Sequence, residues 1–302
     1  MNISKKIIAL TLTAALVLGA FAGCSKKTAT KSETESTAES KVIKVAASAT
    51  PHAEILEQVA PILAEQGYTL EVTVFDDYVV PNEVVESGEF DANYFQHTPY
   101  LNSFNEERGT HLVVAGEIHY EPFGIYPGTK TDFADIEVGD TIALPNDTTN
   151  EARALLLLQD NGLLTLADGV GLEATVNDII DNPYELNFEE LEAAQVARVV
   201  DEVEYVVLNG NYALEAGYIV SQDALAYEQA DSVAATTYVN VIAVYEGREN
   251  DEAIQALVAA LKSDEIVDYI NTTYEGAVVP YVKCIDKFLK GLYIIRANLL
   301  KQ

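Results

Sequence analysis

Residues 143–159 read ALPNDTTNEARALLLLQ, an apolar run that ends at Pro145, a polar turn and then a run with helical spacing. An apolar run followed by a turn and a helix is the repeating unit of α/β proteins. Asn150 is expected to cap the helix, and Arg153 returns to the same side three residues later. A helix N-terminus beside an arginine suits a carboxylate. The alternative is an arginine that pairs with a nearby glutamate.

The same alternation extends outward in both directions and predicts an α/β fold of two lobes with largely parallel sheets. The first crossing between the lobes is expected near residues 120–126 and the second near 224–238, with a ligand in the cleft between them. The strand that starts at His111 is expected to continue past Pro122. The predicted strands are 42–48, 69–75, 91–96, 111–120, 141–145, 205–208 and 238–246, and the predicted helices are 50–66, one from Pro99, 151–160, one from Tyr212, and 251–262.

The N-terminus has the layout of an export signal. Lys5 and Lys6 precede an uncharged run over 7–18 and a small-residue stretch that ends at Cys24. The apolar run is shorter than the roughly 20 residues of a membrane-spanning helix, so a secretory signal peptide over 1–23 is the better interpretation. FAGC resembles the lipobox at which bacterial lipoproteins are lipidated, although Phe21 replaces the usual aliphatic residue.

The segment after Cys24 reads SKKTATKSETESTAESK and has no apolar residue larger than alanine. Such a composition cannot bury enough surface to fold, so residues 24–41 are predicted to be a flexible tether. A tether beside a lipidated cysteine would hold a folded body close to the membrane, since two or more acyl chains anchor stably.

Composition excludes several function classes. The chain has 18 basic and 48 acidic residues and a formal charge of −30, which argues against nucleic acid as a partner. Its two cysteines allow no disulfide framework. The sequence has no G-x-S-x-G elbow, no H-E-x-x-H and no phosphate-binding loop, so we expect no enzymatic activity and no cofactor.

The histidines suggest an alternative function, in which the protein is the zinc- or manganese-binding component of an importer. The chain has four, at positions 52, 97, 111 and 119. Such sites combine several histidines with carboxylates. We interpret the four as unrelated residues and predict no metal site.

Aromatic residues follow two predicted strands, where open α/β sheets bind ligands. Residues 75–101 contain Tyr78, Tyr94, Phe95, His97 and Tyr100, which could enclose an apolar or thioether side chain, unless some of them fill the core. Further along the chain, Asn209 or Asn211, together with Asn240, could bind an ammonium and a carboxylate without adding charge.

Five ordered motifs carry a resemblance to a known family. The chain resembles the NlpA-type methionine-binding lipoproteins of ABC importers from about residue 42 to 280. The motifs are DYVVPNEVVESGEFDANYFQHTPYL (77–101), IHYEPFGIYP (118–127), LPNDTTNEARAL (144–155), NGNYALEAG (209–217) and YVNVI (238–242). The resemblance implies a type 2 periplasmic-binding-protein fold, in which two α/β lobes joined by two crossover segments close on L-methionine or a close relative.

The resemblance also implies roles for particular residues. Arg153 would bind the ligand carboxylate, and Asn150, Asn211 and Asn240 its polar ends, with Asn209 as an alternative to Asn211. The side chain would be enclosed by Tyr78, Phe95, His97 and Tyr100, which makes His97 a wall of the pocket and not a metal ligand.

The partners implied are methionine or a related amino acid, an ABC permease with its ATPase, and the membrane, with the protein a lipid-anchored monomer on the extracytoplasmic face. D-methionine, methionine derivatives, another amino acid and short dipeptides stay open as ligands.

The resemblance sets the expected domain boundaries. Lobe 1 would comprise 42–120 plus 238–280, and lobe 2 would comprise 121–237. The remaining residues, 281–302, form a basic C-terminal tail with Cys284 that has no counterpart in the family. The tail is either an added amphipathic helix that contacts the membrane or the permease, or a frameshifted or read-through end.

Overall fold

The structure is a computed structural model that describes residues 41–229 and 232–281. The predicted signal peptide, Cys24, the tether up to residue 40 and the tail from residue 282 lie outside the described residues. No helix within the described ranges is long and apolar enough to cross a bilayer.

The strands of the described chain are two to nine residues long, and helices or turns separate most of them. They are β1 (Lys41–Ala47), β2 (Tyr68–Val74), β3 (Ala92–His97), β4 (Leu112–Tyr120), β5 (Gly124–Pro127), β6 (Thr141–Pro145), β7 (Thr165–Leu166), β8 (Ile179–Asp181), β9 (Asn187–Leu191), β10 (Tyr205–Leu208), β11 (Ala226–Tyr227), β12 (Val239–Tyr245) and β13 (Val279–Pro280).

The α-helices lie between these strands. They are α1 (Glu54–Glu65), α2 (Val80–Glu86), α3 (Thr98–Arg108), α4 (Thr148–Asp160), α5 (Ala193–Val196), α6 (Gly210–Glu215), α7 (Val220–Asp223), α8 (Ala234–Thr237), α9 (Glu252–Leu261) and α10 (Asp264–Tyr274). A π-helical turn, Ala49–Ala53, precedes α1, so the α-helix predicted from residue 50 begins at Glu54.

Two sheets organise the fold. The first has the order β13-β4-β12-β3-β1-β2, and the second has the order β11-β5-β10-β6-β9. Strands β7 and β8 form a separate pair. The first sheet therefore takes its strands from both ends of the described chain and the second from its middle, which confirms the predicted α/β class.

The expectation of largely parallel sheets is wrong, because both sheets are mixed. Strands β1, β2 and β3 are parallel, but β12 lies antiparallel between β3 and β4. The reason is that β12 enters the first sheet from the segment after the second sheet, whereas β3 and β4 enter from within the first. In the second sheet β10 is parallel to β6 and antiparallel to β5.

The predicted continuation of the strand past Pro122 is also wrong. Strand β4 ends at Tyr120, and β5 begins at Gly124 in the second sheet. Proline has no N–H to donate to a ladder, which favours the end of a strand at this point. The chain therefore passes from one sheet to the other at residues 121–123.

Two apolar clusters form most of the core, and the second sheet contributes side chains to both. The larger core includes strand β1, helices α1, α9 and α10 and part of the second sheet, and contains Ile43, Leu56 and Leu257. The core on α4 and the second sheet contains Leu155, Leu158 and Ile142. These cores fix the ends of β3, α4, α6 and β12, which carry the polar residues described next.

Candidate functional site

A cleft lies where strand and helix ends of the two sheets meet. It contains all eight residues predicted to contact a ligand, together with four others. The space between the lining atoms, including open solvent, is about 330 Å³. The predicted eight are Tyr78, Phe95, His97, Tyr100, Asn150, Arg153, Asn211 and Asn240, and the others are Gln96, Glu121, Asn209 and Gly210.

Strand ends and helix starts place these side chains. Phe95 and His97 end β3, and Tyr100 lies in the first turn of α3. Asn240 on β12 is in register with His97. The second sheet contributes the starts of α4 and α6, which follow β6 and β10. Side chains that are far apart in the sequence therefore face one small space.

The start of α4 differs from the expectation that Asn150 caps it. The helix begins at Thr148, and the side chain of Asp147 is the cap, since it accepts the N–H of Asn150 at 3.0 Å. An aspartate caps as well as an asparagine, and its charge suits the positive end of the helix dipole. The helix N-terminus is thus occupied by the chain's own carboxylate.

Arg153 is buried and already paired. Its Nε lies 2.8 Å and its Nη2 2.5 Å from the two carboxylate oxygens of Glu228, and Nη2 also donates to the backbone oxygen of Glu121 at 3.1 Å. Burial alone would lower the pKa of Arg153, but the Glu228 carboxylate outweighs it and the pKa is raised, so the guanidinium stays charged. None of these three hydrogen bonds uses Nη1.

Rings also surround the guanidinium of Arg153. Its central carbon lies 4.1 Å from the ring centre of Tyr238 and 4.7 Å from that of Phe123. Such cation–π contacts, together with the Glu228 pair, fix the orientation of the planar group.

Asn150 and His97 connect the two sides of the cleft. His97 Nδ1 accepts the N–H of Tyr100 at 3.2 Å, so its proton is on Nε2, which donates to Asn150 Oδ1 at 3.1 Å. Burial, and then Arg153, lowers the pKa of His97 to about 3, and the ring is neutral at pH 7. Both nitrogens are engaged.

The side chain of Asn150 is fully used within the protein. Its Nδ2 donates to both oxygens of Asp147, at 2.9 and 3.0 Å, and its Oδ1 also accepts from Asn209 at 2.9 Å. In this structure the side chain of Asn150 connects the residues on the two sides of the cleft. Its role as a direct ligand contact stays a prediction.

Two asparagines instead carry unsatisfied atoms. Asn209 Oδ1 and Asn211 Nδ2 are buried and have no partner among the described residues. Asn211 Oδ1 accepts the hydroxyl of Tyr78 at 2.5 Å. One free acceptor and one free donor therefore face the same cleft, and burial without partners is costly unless a ligand completes them. Which of Asn209 and Asn211 contacts a ligand stays a prediction.

Three aromatic rings form the opposite wall. The ring centres are 5.5 Å apart for Tyr78 and Phe95, 5.8 Å for Tyr78 and Tyr100, and 6.1 Å for Phe95 and Tyr100. Tyr94, which the sequence placed in the same group, is buried on the other side of β3 against His52 and His119. Because successive residues of a strand face opposite ways, Tyr94 and Phe95 cannot share one pocket.

The histidines fall into three environments. His97 is in the cleft, His111 is exposed beside Glu86, and His52 and His119 are buried next to Glu121. The ligand atoms of the last three lie within 4.8 Å of one another and could hold a metal ion. The sequence did not indicate this cluster, because His52 comes from a segment far along the chain from His119 and Glu121.

Sequence reasoning missed Glu121 and Glu228 as parts of the site. Glu121 is within the quoted motif IHYEPFGIYP, directly before a proline at the crossing between the sheets. The position of Glu121 in this motif could have indicated that it belongs to the site. Glu228 is one of 48 acidic residues, and nothing in its neighbourhood marked it.

Comparison with known proteins gives consistent results. Residues 43–282 match the family model described as NlpA lipoprotein. The methionine-binding lipoprotein MetQ of Bacillus subtilis is 41% identical over 244 residues, which cover 80% of this chain and 88% of that protein.

Solved structures agree. A Ruminococcus gnavus protein described as a lipoprotein is 75% identical, with a TM-score of 0.80, over 80% of this chain and all of that one. A nutrient binding protein from Burkholderia cenocepacia, bound to methionine, is 40% identical with a TM-score of 0.76, over 80% of this chain and all of that one.

Proposed function

The chain belongs to the NlpA lipoprotein family, and from this membership we propose that it captures methionine, or a close relative, outside the cytoplasmic membrane and delivers it to an ABC importer. The observation that carries the proposal is the cleft itself. One end has an aromatic wall, and the other has a buried arginine and two asparagines with unsatisfied atoms. A zwitterionic amino acid with an apolar side chain fits both ends.

The polar end would bind the carboxylate and ammonium of the ligand. Arg153 Nη1 and Asn211 Nδ2 are donors for the carboxylate, and Asn209 Oδ1 is an acceptor for the ammonium. The polar side chain of Asn240 also lines this end. Buried donors and acceptors discriminate strongly, because a ligand that lacks the matching group leaves them unpaired.

The aromatic wall would enclose the thioether. Sulfur packs favourably against ring edges at about 5 Å. Tyr78, Phe95 and Tyr100 form a wall of rings that are tilted against one another. The neutral ring of His97 closes one side of this wall. The methionine-bound protein of Burkholderia cenocepacia supports this assignment, since it shares 40% of its residues with this chain.

The two sheets would act as lobes that close on the ligand. We propose lobe 1 as residues 42–120 plus 238–280 and lobe 2 as residues 121–237, so that the segments around Glu121 and Glu228 form the connections. Closure brings the starts of α4 and α6 against the ends of β3 and β12. The closed form is then recognised by the permease, and the protein itself has no catalytic activity.

L-methionine is expected to raise the melting temperature of the purified protein. A ligand at about 100 times its Kd stabilises by about 2.7 kcal/mol, which corresponds to roughly 5–10 °C for a domain of this size. Differential scanning fluorimetry with L-methionine, D-methionine, a Gly-Met dipeptide and leucine measures the effect. Comparable shifts with leucine would contradict a thioether-selective wall.

A second candidate function is metal binding, because His52, His119 and Glu121 are close enough to share an ion. A zinc or manganese binder would be stabilised by the metal and destabilised by a chelator, and it would tolerate loss of Arg153. The same fluorimetry with zinc, manganese and a chelator separates the two. A metal shift without a methionine shift would overturn the amino-acid proposal.

Cys24 is proposed as the lipidation site that anchors the protein, as a monomer, on the extracytoplasmic face. Replacement by serine keeps the size of the side chain but removes the thiol, so Cys24→Ser is expected to incorporate no labelled palmitate and to leave the membrane fraction. Cys284→Ser is the matched control and should stay lipidated. Unchanged labelling of Cys24→Ser would place the anchor elsewhere.

A further inference from the structure

A second, larger cavity lies behind the aromatic wall of the cleft. Tyr78 and Tyr100 line both spaces, so their rings separate the ligand cleft from this outer cavity. The outer cavity is about 1240 Å³, including open solvent, and residues of α3 and of the turn before α4 line it. The aromatic wall therefore has one side towards the ligand and the other towards the outer cavity.

The outer cavity is acidic. Among the described residues that line it, Arg108 is the only cation, and its Nη1 already pairs with Glu83 at 3.2 Å. Four carboxylates line the same space, those of Asp77, Glu107, Asp147 and Glu192. An excess of negative charge therefore lies behind the aromatic wall, on the side away from the ligand.

The hydroxyl of Tyr100 senses this charge. Burial raises the pKa of Tyr100 first, and the Asp147 carboxylate raises it further. Arg108 lowers this pKa by less than Asp147 raises it, and Asp77 and Glu107 add to the increase. Nearby anions raise the pKa of a phenol because they disfavour its charged form. The wall is therefore in a region of negative potential.

Hydrogen bonds hold the rings of the wall in place. The hydroxyl of Tyr100 donates to the backbone oxygen of Tyr78 at 3.0 Å, and the hydroxyl of Tyr78 donates to Asn211 Oδ1 at 2.5 Å. Phe95 completes the wall with a ring that has no polar group. Both phenol hydroxyls are thus engaged within the protein, and the wall offers a ligand aromatic surface.

Aromatic faces and nearby carboxylates both favour a positive charge. The face of a ring carries partial negative charge and attracts a cation within about 6 Å of the ring centre. A neutral thioether gains only the packing contact between sulfur and ring. A sulfonium, in which a third alkyl group gives the sulfur a full positive charge, gains the electrostatic attraction as well. Arg153 at the other end of the cleft is paired with Glu228, so its charge is largely compensated.

We propose that the aromatic end of the cleft is a site for a cationic sulfur and that the ligands of this protein include sulfonium derivatives of methionine, of which S-methylmethionine is the smallest. The inference rests on the proposed function, because the amino and carboxyl groups of the derivative would bind as those of methionine do. It predicts selection by the charge on the sulfur, whereas a purely apolar wall would select by size and shape alone.

The test compares S-methylmethionine with 2-amino-5-methylhexanoic acid, in which a CH group replaces the charged sulfur. The two molecules have the same branching and nearly the same size, so the ratio of their affinities measures the effect of the charge. Isothermal titration calorimetry on the purified full chain gives both affinities, with methionine as the reference ligand. We expect the wild type to bind the sulfonium at least about tenfold more tightly than the carbon analogue.

Two variants locate the preference. Phe95→Leu removes one ring, and Asp77→Asn removes one charge but keeps an oxygen that can accept the N–H of Val79. Each is expected to lower the ratio of the two affinities by about threefold or more. Glu252→Gln is the matched control, because Glu252 is an exposed acid on α9 that pairs with Lys41 and lines neither cavity. The control should leave the ratio unchanged.

Several outcomes would overturn the inference. A wild type that binds the sulfonium and the carbon analogue equally well, or that binds methionine but not the sulfonium, does so even if the variants fail to fold. An unchanged ratio in folded Phe95→Leu and Asp77→Asn does the same. An equal loss in Glu252→Gln would assign the preference to the overall negative charge of the protein instead of the wall. Failure of the wild type to bind any of the three ligands would instead refute the proposed function.

Discussion

Arg153→Met is expected to abolish methionine binding and to destabilise the protein. Among the described residues that line the cleft, the arginine is the only cation, and a bound carboxylate would lose its charged donor. Charge-assisted hydrogen bonds contribute about 1.5–3 kcal/mol each, so the affinity should fall at least roughly 100-fold. Titration calorimetry of the folded variant measures the loss.

The stability effect arises from Glu228. Its side chain is 9% exposed, and it would be left buried without a cation, in contact only with the hydroxyl of Tyr120 and the N–H of Phe123. Removal of one partner of a buried ion pair costs about 3–5 kcal/mol. Urea unfolding should show this loss in the absence of ligand.

Two further variants separate binding from stability. Arg153→Met combined with Glu228→Gln removes both charges, so it should regain most of the stability but none of the binding. Arg248→Met is the control, because Arg248 pairs with Asp91 and Asp251 at a more exposed position away from the cleft. If Arg153→Met binds methionine as tightly as the wild type, the arginine serves only as the partner of Glu228.

Acid is expected to destabilise the protein through three buried histidines. The pKa of His52 is about 4 and those of His97 and His119 are about 3, in each case first because burial disfavours the charged ring. In the unfolded chain the pKa returns to about 6.5. Between these values the unfolded state binds more protons than the folded state, so stability is lost as the pH falls from about 6.5 towards 4.

The difference between the folded and unfolded pKa values sets how strongly each histidine changes the unfolding free energy with pH. Each histidine contributes on the order of 1.4 kcal/mol per pH unit within its window. Glu121, Asp147 and Glu151 act in the opposite direction, since burial raises their pKa and the folded state then holds the extra proton. The net slope of the wild type is therefore smaller than the sum for the histidines.

Single replacements isolate the histidine contribution. Exchange of His52, His97 or His119 for glutamine removes the titrating ring, so the slope of unfolding free energy between pH 6.5 and 5 should be shallower than in the wild type by on the order of 1 kcal/mol per pH unit. His111→Gln is the control, because His111 is exposed and its pKa is raised by Glu86. A variant slope equal to the wild-type slope would mean that the ring is protonated in the fold.

The fold could be predicted from the sequence because its signals are local. The strands at Thr141–Pro145 and Tyr205–Leu208 lie where the apolar runs placed them. The resemblance to the NlpA family is confirmed by the match over residues 43–282. The short elements between β7 and β9 were not predicted, since runs of two to five residues lack a measurable period.

The content of the cleft could also be predicted, because residues of matching chemistry follow strand ends. All eight expected residues line the same space. The contacts that each of these residues makes were harder to predict from the sequence. Asn150 was expected to cap α4, yet Asp147 is the cap. The side chain of Asn150 makes hydrogen bonds within the protein, and its contact with a ligand stays a prediction.

The sequence by itself determined the alternation of strands and helices and the residue types at the ends of β3, α4 and β12, and it predicts an export signal. Only the tertiary structure decided the partners. Glu228 lies 75 residues from Arg153, and His52 lies 188 residues from Asn240. Periodicity and capping act over a few neighbouring residues, whereas pairing of buried charges depends on which segments the two cores bring together. The sequence therefore predicts the architecture but leaves open which carboxylate binds the arginine.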